Sequence, residues 1–406
     1  MNVLVVSPYF PECSSGVAAH TRSYHIIRPL TREHTVSLLA LTNSSDEKRE
    51  AHPPQGLKLQ RYVEVARRQA SRPKKRLRQV FWLLMGKSPL LESYRLKAIQ
   101  EQLNALFAER HYDIILFENS LMAAEYQVPT STQVIIDEHN IEYELLYRTY
   151  QCRGSLIRRW YNWCESRQVQ SAELRRCSQS RGVLVCSARE ASLLKSNLPN
   201  ANVYVVPNGV DLENFRAAHN TRELDDRIVF TGSMDYYPNI DAVLHFAHEC
   251  WPLIRSNAPR VTWAIVGKNP PSSVSKLGEV PGITVTGSVP DIKPYLAAAT
   301  MAIAPMRIGS GTRLKILEAF AMRKAVVSTS LGCEGLDVIP GKHLIVADQP
   351  EAFARQVLNL LKDSQARAAL AKAGHDFAQA YDWELCGDAL LSALRNIIEP
   401  DGLKPA

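Results

Sequence analysis

The sequence predicts an α/β protein built from two doubly wound parallel sheets, and three observations support this prediction. Short runs rich in Val, Ile and Leu alternate with longer amphipathic stretches, which is typical of βα units in a parallel sheet. The series of runs begins twice, with a polar segment between the two series. The chain has 406 residues, which is long enough for two α/β domains of ordinary size.

Each predicted strand is continuous in aliphatic residues, as expected when helices cover both faces of a sheet. In the first half the predicted strands are residues 3–7, 35–41, 114–118, 134–137, 182–186 and 203–206. In the second half they are residues 227–231, 262–266, 283–286, 301–304, 325–328 and 343–346. Helices are predicted between them, for example over residues 240–257 and 314–322.

These elements divide the chain into four parts. Residues 1–214 form a first Rossmann-like domain, and residues 215–226 form a polar linker without a strand pattern. Residues 227–380 form a second Rossmann-like domain. Residues 381–406 begin with an aromatic joint, Tyr381 and Trp383, and continue as an amphipathic C-terminal helix.

Composition predicts a cytoplasmic globular protein. Hydrophobic residues make up 46% and charged residues 22% of the chain, and we find neither a membrane-spanning apolar run nor a secretory leader. The eight cysteines are scattered singly, without the close pairs of zinc or redox motifs, which indicates reduced thiols. The excess of positive charge is local, and this makes nucleic acid an improbable partner.

The local excess lies between Arg67 and Leu90, where the sequence has eight Lys or Arg and no acid. Since the whole chain carries +7, the remainder nets −1. Leu77, Val80 and Phe81 share one helical face there, and such a basic amphipathic helix can rest on an anionic membrane at the inner face of the cell. The alternative is that this face packs on the domain core while the cations stay solvated, and the sequence leaves both readings open.

Ligands of open parallel sheets bind outside the carboxyl ends of the strands, so the loops that follow strands carry the candidate residues. Gly16, in a Ser-Ser-Gly turn after the first strand, opens a helix start that is suited to an anion or serves only for capping. His139 follows the fourth strand and could bind a sugar hydroxyl; the alternative is that Asp137 or Asn140 caps the next helix. Asp211 leads into the linker, so no metal-dependent chemistry is predicted.

A glycine-rich loop after the strand 301–304 is the strongest candidate site. Gly309, Ser310, Gly311 and Thr312 precede a helix that carries Arg313, Leu314, Lys315 and Glu318. Glycines allow a ligand to approach the backbone, and the helix start supplies N–H donors. Cations in a first helical turn oppose the helix dipole, which favours an anionic diphosphate in front of them over a solvated basic face.

Several fragments together resemble the retaining glycosyltransferases of family four. The fragments are SSG at 14–16, DEHN at 137–140, LVCSARE at 184–190, VVPNGVDLENF at 205–215, VFTGSMDYYPN at 229–239, AIVGKNP at 264–270, VTGSVPDIKPYL at 285–296 and GSGTRLKILEA at 309–319. The resemblance implies the GT-B fold, in which two Rossmann-like domains face each other across a cleft that binds a nucleotide-sugar. It also implies that the C-terminal helix crosses back to the first domain.

The resemblance also implies site residues. Gly16 would approach the donor phosphate or the acceptor, His139 would touch the transferred sugar, and Glu318 would bind the ribose. Gly232 would end the first strand of the donor domain, and backbone groups of Ser288 and Val289 would meet the nucleobase. We predict that the remaining donor-binding residues are Ser233, Ser310, Gly311, Thr312 and Leu314.

The sequence departs from the family pattern at three positions. Ser310 stands where the first of two spaced carboxylates is usual, and Ser233 and Pro238 stand where an Arg and a Lys are usual. Our hypothesis is that Arg313 and Lys315 replace the missing phosphate-binding cations.

The function that the resemblance implies is transfer of a sugar from a UDP- or GDP-sugar to a hydroxyl group of a glycan, lipid-linked or polysaccharide-precursor acceptor, with retention. No cofactor or metal is expected, because the nucleotide-sugar is a co-substrate. Two alternatives stay open. A sugar-nucleotide epimerase has the same fold, and a non-catalytic GT-B scaffold partner would explain the missing residues.

Overall fold

The computed structural model describes residues 1–13, 18–42, 53–64, 82, 87–123, 126–151, 156–216 and 223–399. The chain divides into two compact units. The first consists chiefly of Ala19–Pro207 with the first strand and the residues from Gly387 onwards, and the second consists chiefly of Asn208–Cys386. Gly16 and most of the basic segment 67–90 lie outside the described residues, so the predictions made for them stay predictions.

The first unit contains a sheet of seven parallel strands. In space the strands follow the order β3-β2-β1-β4-β5-β6-β7. Their bounds are β1 Asn2–Ser7, β2 Thr35–Thr42, β3 Leu59–Glu64, β4 Ile114–Glu118, β5 Gln133–Glu138, β6 Gly182–Val185 and β7 Val203–Val205.

The helices of the first unit bury apolar side chains on this sheet. Their bounds are α1 Ala18–Glu33, α2 Pro89–Tyr94, α3 Lys97–Glu109, α4 Glu142–Gln151, α5 Leu156–Gln179 and α6 Ala188–Asn197. The last turns of the C-terminal helix belong to the same core through Leu390, Leu394 and Ile397.

The second unit contains a sheet of six parallel strands in the order β10-β9-β8-β11-β12-β13. The bounds are β8 Arg227–Thr231, β9 Thr262–Val266, β10 Ile283–Val285, β11 Met301–Ala304, β12 Ala325–Ser328 and β13 Ile345–Val346. Its helices are α7 Leu212–Arg216, α8 Tyr237–His245, α9 Trp251–Asn257, α10 Ser272–Ser275, α11 Lys293–Ala297, α12 Leu314–Ala321, α13 Pro350–Lys362 and α14 Ser364–Ala378. A π-helical turn, Phe246–Cys250, joins α8 to α9. The last helix of the described residues is α15 Trp383–Ile398, which passes from the second unit to the first at Gly387.

The predicted α/β class with two parallel sheets is confirmed, and all twelve predicted strands are present with end shifts of at most two residues. The missed strand is β3, whose sequence LQRYVE mixes polar and apolar residues because it lies at an edge of the sheet. Within the predicted linker, Phe215 lies in α7 and packs against the core of the second unit. Within the described residues, none of the helices has the length and apolar character needed to cross a membrane.

Candidate active site

Both sheets reverse their strand order next to their first strand. The reversal falls between β1 and β4 in the first unit and between β8 and β11 in the second. Because all strands within a sheet are parallel, the loops after these strands emerge at one edge, and a crevice opens where the order reverses. The predicted site residues of each unit are therefore described separately around its reversal point.

In the second unit, Lys315 links the two sides of the reversal point. It lies in the first turn of α12, which follows β11, and its Nζ donates to Asn239 Oδ1 at 2.8 Å in α8, which follows β8. Asn239 Nδ2 in turn donates to the carbonyl oxygen of Ser233 at 2.8 Å. Gly232 has φ +153°, and a Cβ there would lie 2.9 Å from Lys315 Nζ. Both the positive φ and the close approach of Asn239 Nδ2, which would lie 2.8 Å from that Cβ, favour glycine at this position.

The charge of Lys315 is only weakly compensated. Its Nζ lies 3.8 Å from the centroid of the Phe230 ring, and Asn239 Oδ1 is its hydrogen-bond acceptor among the described residues. Burial and the neighbouring Arg313 lower the pKa of Lys315 to about 7, although Glu318 acts in the opposite direction. A half-buried amine with a lowered pKa favours the arrival of an anion, which would restore its full charge.

The glycine-rich loop turns immediately before α12. Gly309 and Gly311 have φ values of +147° and +75°, which side chains other than glycine rarely adopt. Arg313 is the residue before the helix, and its guanidinium donates from one nitrogen to the carbonyl oxygens of Ser310 and Gly311. The buried guanidinium therefore braces the loop from within, and the two predicted cations occupy different environments: Lys315 faces the reversal point, whereas Arg313 supports the backbone.

The other residues predicted around this loop also differ in their surroundings. Leu314 is buried in the core of the second unit, so only its backbone can face a ligand, and Ser310 and Thr312 are buried as well. Glu318 lies one turn beyond Lys315, where burial raises its pKa to about 7 despite the attraction of Lys315. These two groups form a neighbouring acid and base whose charges depend on what binds beside them.

Two further predicted positions follow β10, at the far edge of the same sheet. Ser288 is exposed, and Val289 packs against the core. The preceding Gly287 has φ +69°, and nothing lies within 4 Å of a Cβ placed on it. The turn is therefore open, with its backbone accessible. Ser233, after β8, is buried and receives a hydrogen bond at its side-chain oxygen from the backbone N–H of Asp235 at 3.4 Å.

In the first unit, His139 stands at the end of a buried charge network. Its Nε2 lies 3.2 Å from Asp137 Oδ2, and its ring stacks on Tyr9 at 5.8 Å between centroids. Asp137 also receives hydrogen bonds from Arg22 of α1, at 3.0 Å from Nε and 2.5 Å from the second guanidinium nitrogen. Burial opposes ionisation of Asp137, but Arg22 and His139 outweigh it and hold the pKa of this carboxyl well below its usual range.

A second buried carboxylate belongs to the reversal point itself. Glu118 ends β4, and it accepts hydrogen bonds from Ser7 at the end of β1, at 2.5 Å, and from Ser23 in α1. Burial raises its pKa. Sequence analysis missed both Glu118 and Arg22. The side-chain partners named above lie 95 to 115 positions away in the chain, so no local motif marks either residue.

The alternative role for Asp137 as a helix cap is wrong, because its oxygens are occupied by Arg22 and His139. Instead Glu173 of α5 accepts from the first backbone N–H groups of α4, those of Glu142 and Tyr143, at 3.1 and 3.0 Å. Across the described residues, no group of three or more His, Cys, Asp or Glu side chains has an arrangement that could hold a metal ion.

The buried carboxyls make stability depend on pH in a defined direction. Burial raises the pKa of Glu138 to about 8, and that of Glu142 to about 7, from an ordinary value near 4.5. Between pH 5 and 7 the folded protein therefore holds protons that the unfolded chain releases. We expect the free energy of unfolding to fall as pH rises, by about 1.4 kcal/mol per pH unit for each such group.

Urea denaturation at pH 5, 6 and 7 measures this slope. Glu138→Gln keeps the acceptor for the backbone N–H of Ser120. This variant should reduce the slope by the contribution of one titrating group, about 1.4 kcal/mol per pH unit. Glu279→Gln on the exposed surface is the matched control and should leave the slope unchanged. A Glu138→Gln slope equal to that of the wild type would contradict the assignment of a buried, protonated Glu138.

Two family models match the chain over separate ranges. The model described as Glycosyltransferase Family 4 matches residues 16–214, and the model described as Glycosyl transferases group 1 matches residues 225–363. A curated relative, "Uncharacterized 44.6 kDa protein in cps region" of Klebsiella pneumoniae, is 25% identical over 160 residues. That alignment covers 37% of this chain and 41% of the relative, so the chain matches about two fifths of the relative's length.

Solved structures resemble the whole chain. Sucrose-phosphate synthase from Thermosynechococcus elongatus has a TM-score of 0.75 at 16% identity and covers 99% of this chain and 100% of its own. Anabaena Alr3699/HepE in complex with UDP has a TM-score of 0.64 at 13% identity, with 98% and 100% covered. At such identities the likeness shows the fold alone, which is GT-B. With both family models matched in order, the chain belongs to the group 1, family 4 glycosyltransferases of the GT-B fold.

Proposed function

We propose that this glycosyltransferase transfers a hexosyl group from a UDP- or GDP-sugar to a hydroxyl group of a glycan, lipid-linked or polysaccharide-precursor acceptor, with retention and without a metal ion. The proposal that the second unit binds the nucleotide-sugar donor rests on the position of Lys315. Its weakly compensated ammonium lies at the strand-order reversal of the second unit, beside Gly232 and the start of α12.

A diphosphate matches the chemistry of that position. It brings two or more negative charges to a cation whose pKa is low only while no anion is present. The side chain of Arg313, at the N-cap of α12, makes no capping hydrogen bond, so the backbone N–H groups of Leu314 and Lys315 can act as anion donors. The N–H of Ile316 already donates to the carbonyl oxygen of Arg313 at 3.0 Å. Arg313 contributes indirectly in this proposal, because it fixes the loop whose backbone the donor approaches.

Similar structures support the donor and acceptor classes. Anabaena HepE was solved in complex with UDP-glucose, and S. aureus TarM in complex with UDP and alpha-GlcNAc-glycerol. The relative in the cps region of Klebsiella pneumoniae favours a polysaccharide precursor as acceptor. An acceptor that is lipid-linked would place the enzyme at the inner face of the cell membrane, and the basic segment 67–90 is the sequence feature that suggests it.

The proposed step breaks the bond between the anomeric carbon and the donor phosphate oxygen and forms a bond from that carbon to the acceptor oxygen. Negative charge develops on the leaving diphosphate, where Lys315 and the helix N–H groups stabilise it. The proton of the acceptor hydroxyl passes to a leaving phosphate oxygen. Glu318 binds the ribose hydroxyls, and His139, oriented by Asp137, contacts the transferred sugar.

Calorimetric titration of the purified protein with UDP, GDP and ADP tests the donor site. We expect either UDP or GDP to bind at least about tenfold more tightly than the other two nucleotides, and the matching nucleotide-sugar should then be consumed in the presence of acceptor. Each tenfold difference corresponds to about 1.4 kcal/mol of binding free energy. Binding of none by folded protein would refute the proposal and leave a non-catalytic scaffold as the function.

A further inference from the structure

The tip formed by the end of α4 and the start of α5 exposes a cluster of large apolar side chains. Leu156 and Ile157 are 80% and 79% exposed, and Trp160 is 53% exposed. Including Tyr147 and Trp163, this tip holds five of the fourteen large hydrophobic residues that are exposed in the described part of the chain. Apolar side chains concentrated in this way usually mark an interaction surface.

The apolar residues form one end of a helical stripe. Along α5 the exposed positions recur at Leu156, Trp160, Trp163 and Arg167, which is the spacing of one helix face. The stripe is apolar in its first two turns and polar from Arg167 onwards. The helices α4 and α5 pack against each other along their buried faces, so the internal contacts of the pair leave the tip uncovered.

The tip is also positively charged. From Leu145 to Cys164 the sequence has four arginines and no acidic residue, although Arg148 is paired with Glu144 at 2.9 Å and does not add to the charge of the tip. Arg158 is exposed beside the apolar cluster, and the guanidinium carbon of Arg159 lies 5.3 Å from the centroid of the Tyr150 ring. Tryptophan, tyrosine and arginine around exposed aliphatic side chains are the composition of a membrane–water interface.

We propose that this tip, defined by Tyr147, Leu156, Ile157, Trp160 and Trp163 with Arg158 and Arg159, inserts into the headgroup region of an anionic phospholipid bilayer. A second copy of the chain is a poorer occupant, since a two-fold contact would pair the patch with itself and bring like charges together. An anionic lipid surface compensates the arginines while the apolar side chains leave water.

Co-sedimentation of the full chain with vesicles tests the proposal without donor or acceptor. We expect binding to phosphatidylcholine vesicles containing phosphatidylglycerol, weaker binding to phosphatidylcholine alone, and a decrease with added salt. Brominated lipids should quench tryptophan emission, because Trp160 and Trp163 are exposed whereas Trp251 and Trp263 are buried. Quenching locates the insertion at this tip when it is lost in Trp160→Phe/Trp163→Phe.

Two pairs of variants separate the apolar and the charge contributions. Ile157→Ser/Trp160→Ser should lower the partition coefficient about tenfold or more, and Arg158→Gln/Arg159→Gln should lower it on the order of tenfold at low salt. The matched controls are Ile339→Ser/Leu385→Ser and Arg260→Gln/Arg355→Gln, at exposed positions of the second unit, and they should bind like the wild type.

Three results would overturn the proposal. The first is equal binding of neutral and anionic vesicles. The second is loss of binding only in Lys74→Gln/Lys75→Gln/Arg76→Gln, which would assign attachment to the basic segment. The third is a dimer in sedimentation velocity that Ile157→Ser/Trp160→Ser dissociates, which would make a second copy the occupant.

Discussion

Replacing Lys315 by methionine is expected to lower kcat/KM for the nucleotide-sugar by about 10²–10³-fold, which corresponds to about 3–4 kcal/mol of transition-state stabilisation. Methionine retains an unbranched apolar chain over the Phe230 ring but removes the ammonium that reaches Asn239. Charge on the departing diphosphate would then lose its nearest side-chain cation. Steady-state rates with the nucleotide-sugar identified by calorimetry measure the effect.

Binding measurements show which part of the donor loses its interaction in the variant. In Lys315→Met the affinity for the nucleoside diphosphate should fall, whereas the affinity for the nucleoside alone should be unchanged. Lys276→Met, at an exposed position of the same unit, is the matched control and should keep wild-type rates. Arg313→Gln should lower thermal stability as well as donor affinity, because its guanidinium holds the glycine-rich loop. Full activity in Lys315→Met would refute the proposed role of this residue.

The pH profile gives an independent test of the same residue. The pKa of Lys315 is lowered to about 7 in the protein without ligand, so its charge is lost as pH rises through that value. Because kcat/KM reports the free enzyme, we expect kcat/KM to decline above about pH 7 in the wild type. In Lys315→Met this decline should be absent. A decline of the same size in both proteins would assign it to another group.

Sequence analysis located the donor-side elements well because their signals are local. The aliphatic runs of β8 and β11 and the glycine-rich loop each lie within a few consecutive residues. Lys315 was singled out for its place in a first helical turn, which depends on sequence alone. Asn239 was missed, since an amide within a helix has no distinguishing pattern until the fold brings it to Lys315, 76 positions away.

The limit of prediction from sequence is clearer in the first unit. Glu118 ends β4 and Asp137 lies one residue before the end of β5, close to the ends that the sequence indicates, but their burial and their partners depend on the packing of α1 over the sheet. Arg22 reads as an ordinary polar residue of an amphipathic helix, yet it is 1% exposed. A buried guanidinium can be recognised only when its carboxylate is located, and that requires the three-dimensional arrangement.

The departures from the family pattern can be discussed from the geometry of the second unit by itself. Ser233 and Pro238 replace the usual cations after β8, and the ammonium of Lys315 reaches the same loop from the neighbouring strand's helix. The ammonium of Lys315 therefore lies near Gly232, which is compatible with the hypothesis that it replaces the missing cations. Arg313, by contrast, has carbonyl partners within its own loop, so the two hypothesised cations are not equivalent.

The largest effect on stability is expected from Asp137→Asn. The substitution keeps the shape of the side chain but removes the charge that compensates the buried Arg22 guanidinium. Breaking one partner of a buried ion pair costs about 3–5 kcal/mol, because the remaining charge stays out of water without compensation. Urea denaturation measures the loss, and Asp376→Asn, which removes half of an exposed pair with Lys372, should change stability by less than about 1 kcal/mol.

A double variant separates stability from function at this position. Arg22→Met/Asp137→Leu removes both charges and fills the space with apolar atoms, so we expect it to recover much of the stability lost in Asp137→Asn. It should not recover transferase activity, because His139 would still lack the carboxylate that lies 3.2 Å from its Nε2. If the double variant regains activity together with stability, Asp137 serves the fold alone, and His139 does not depend on it for its role with the sugar.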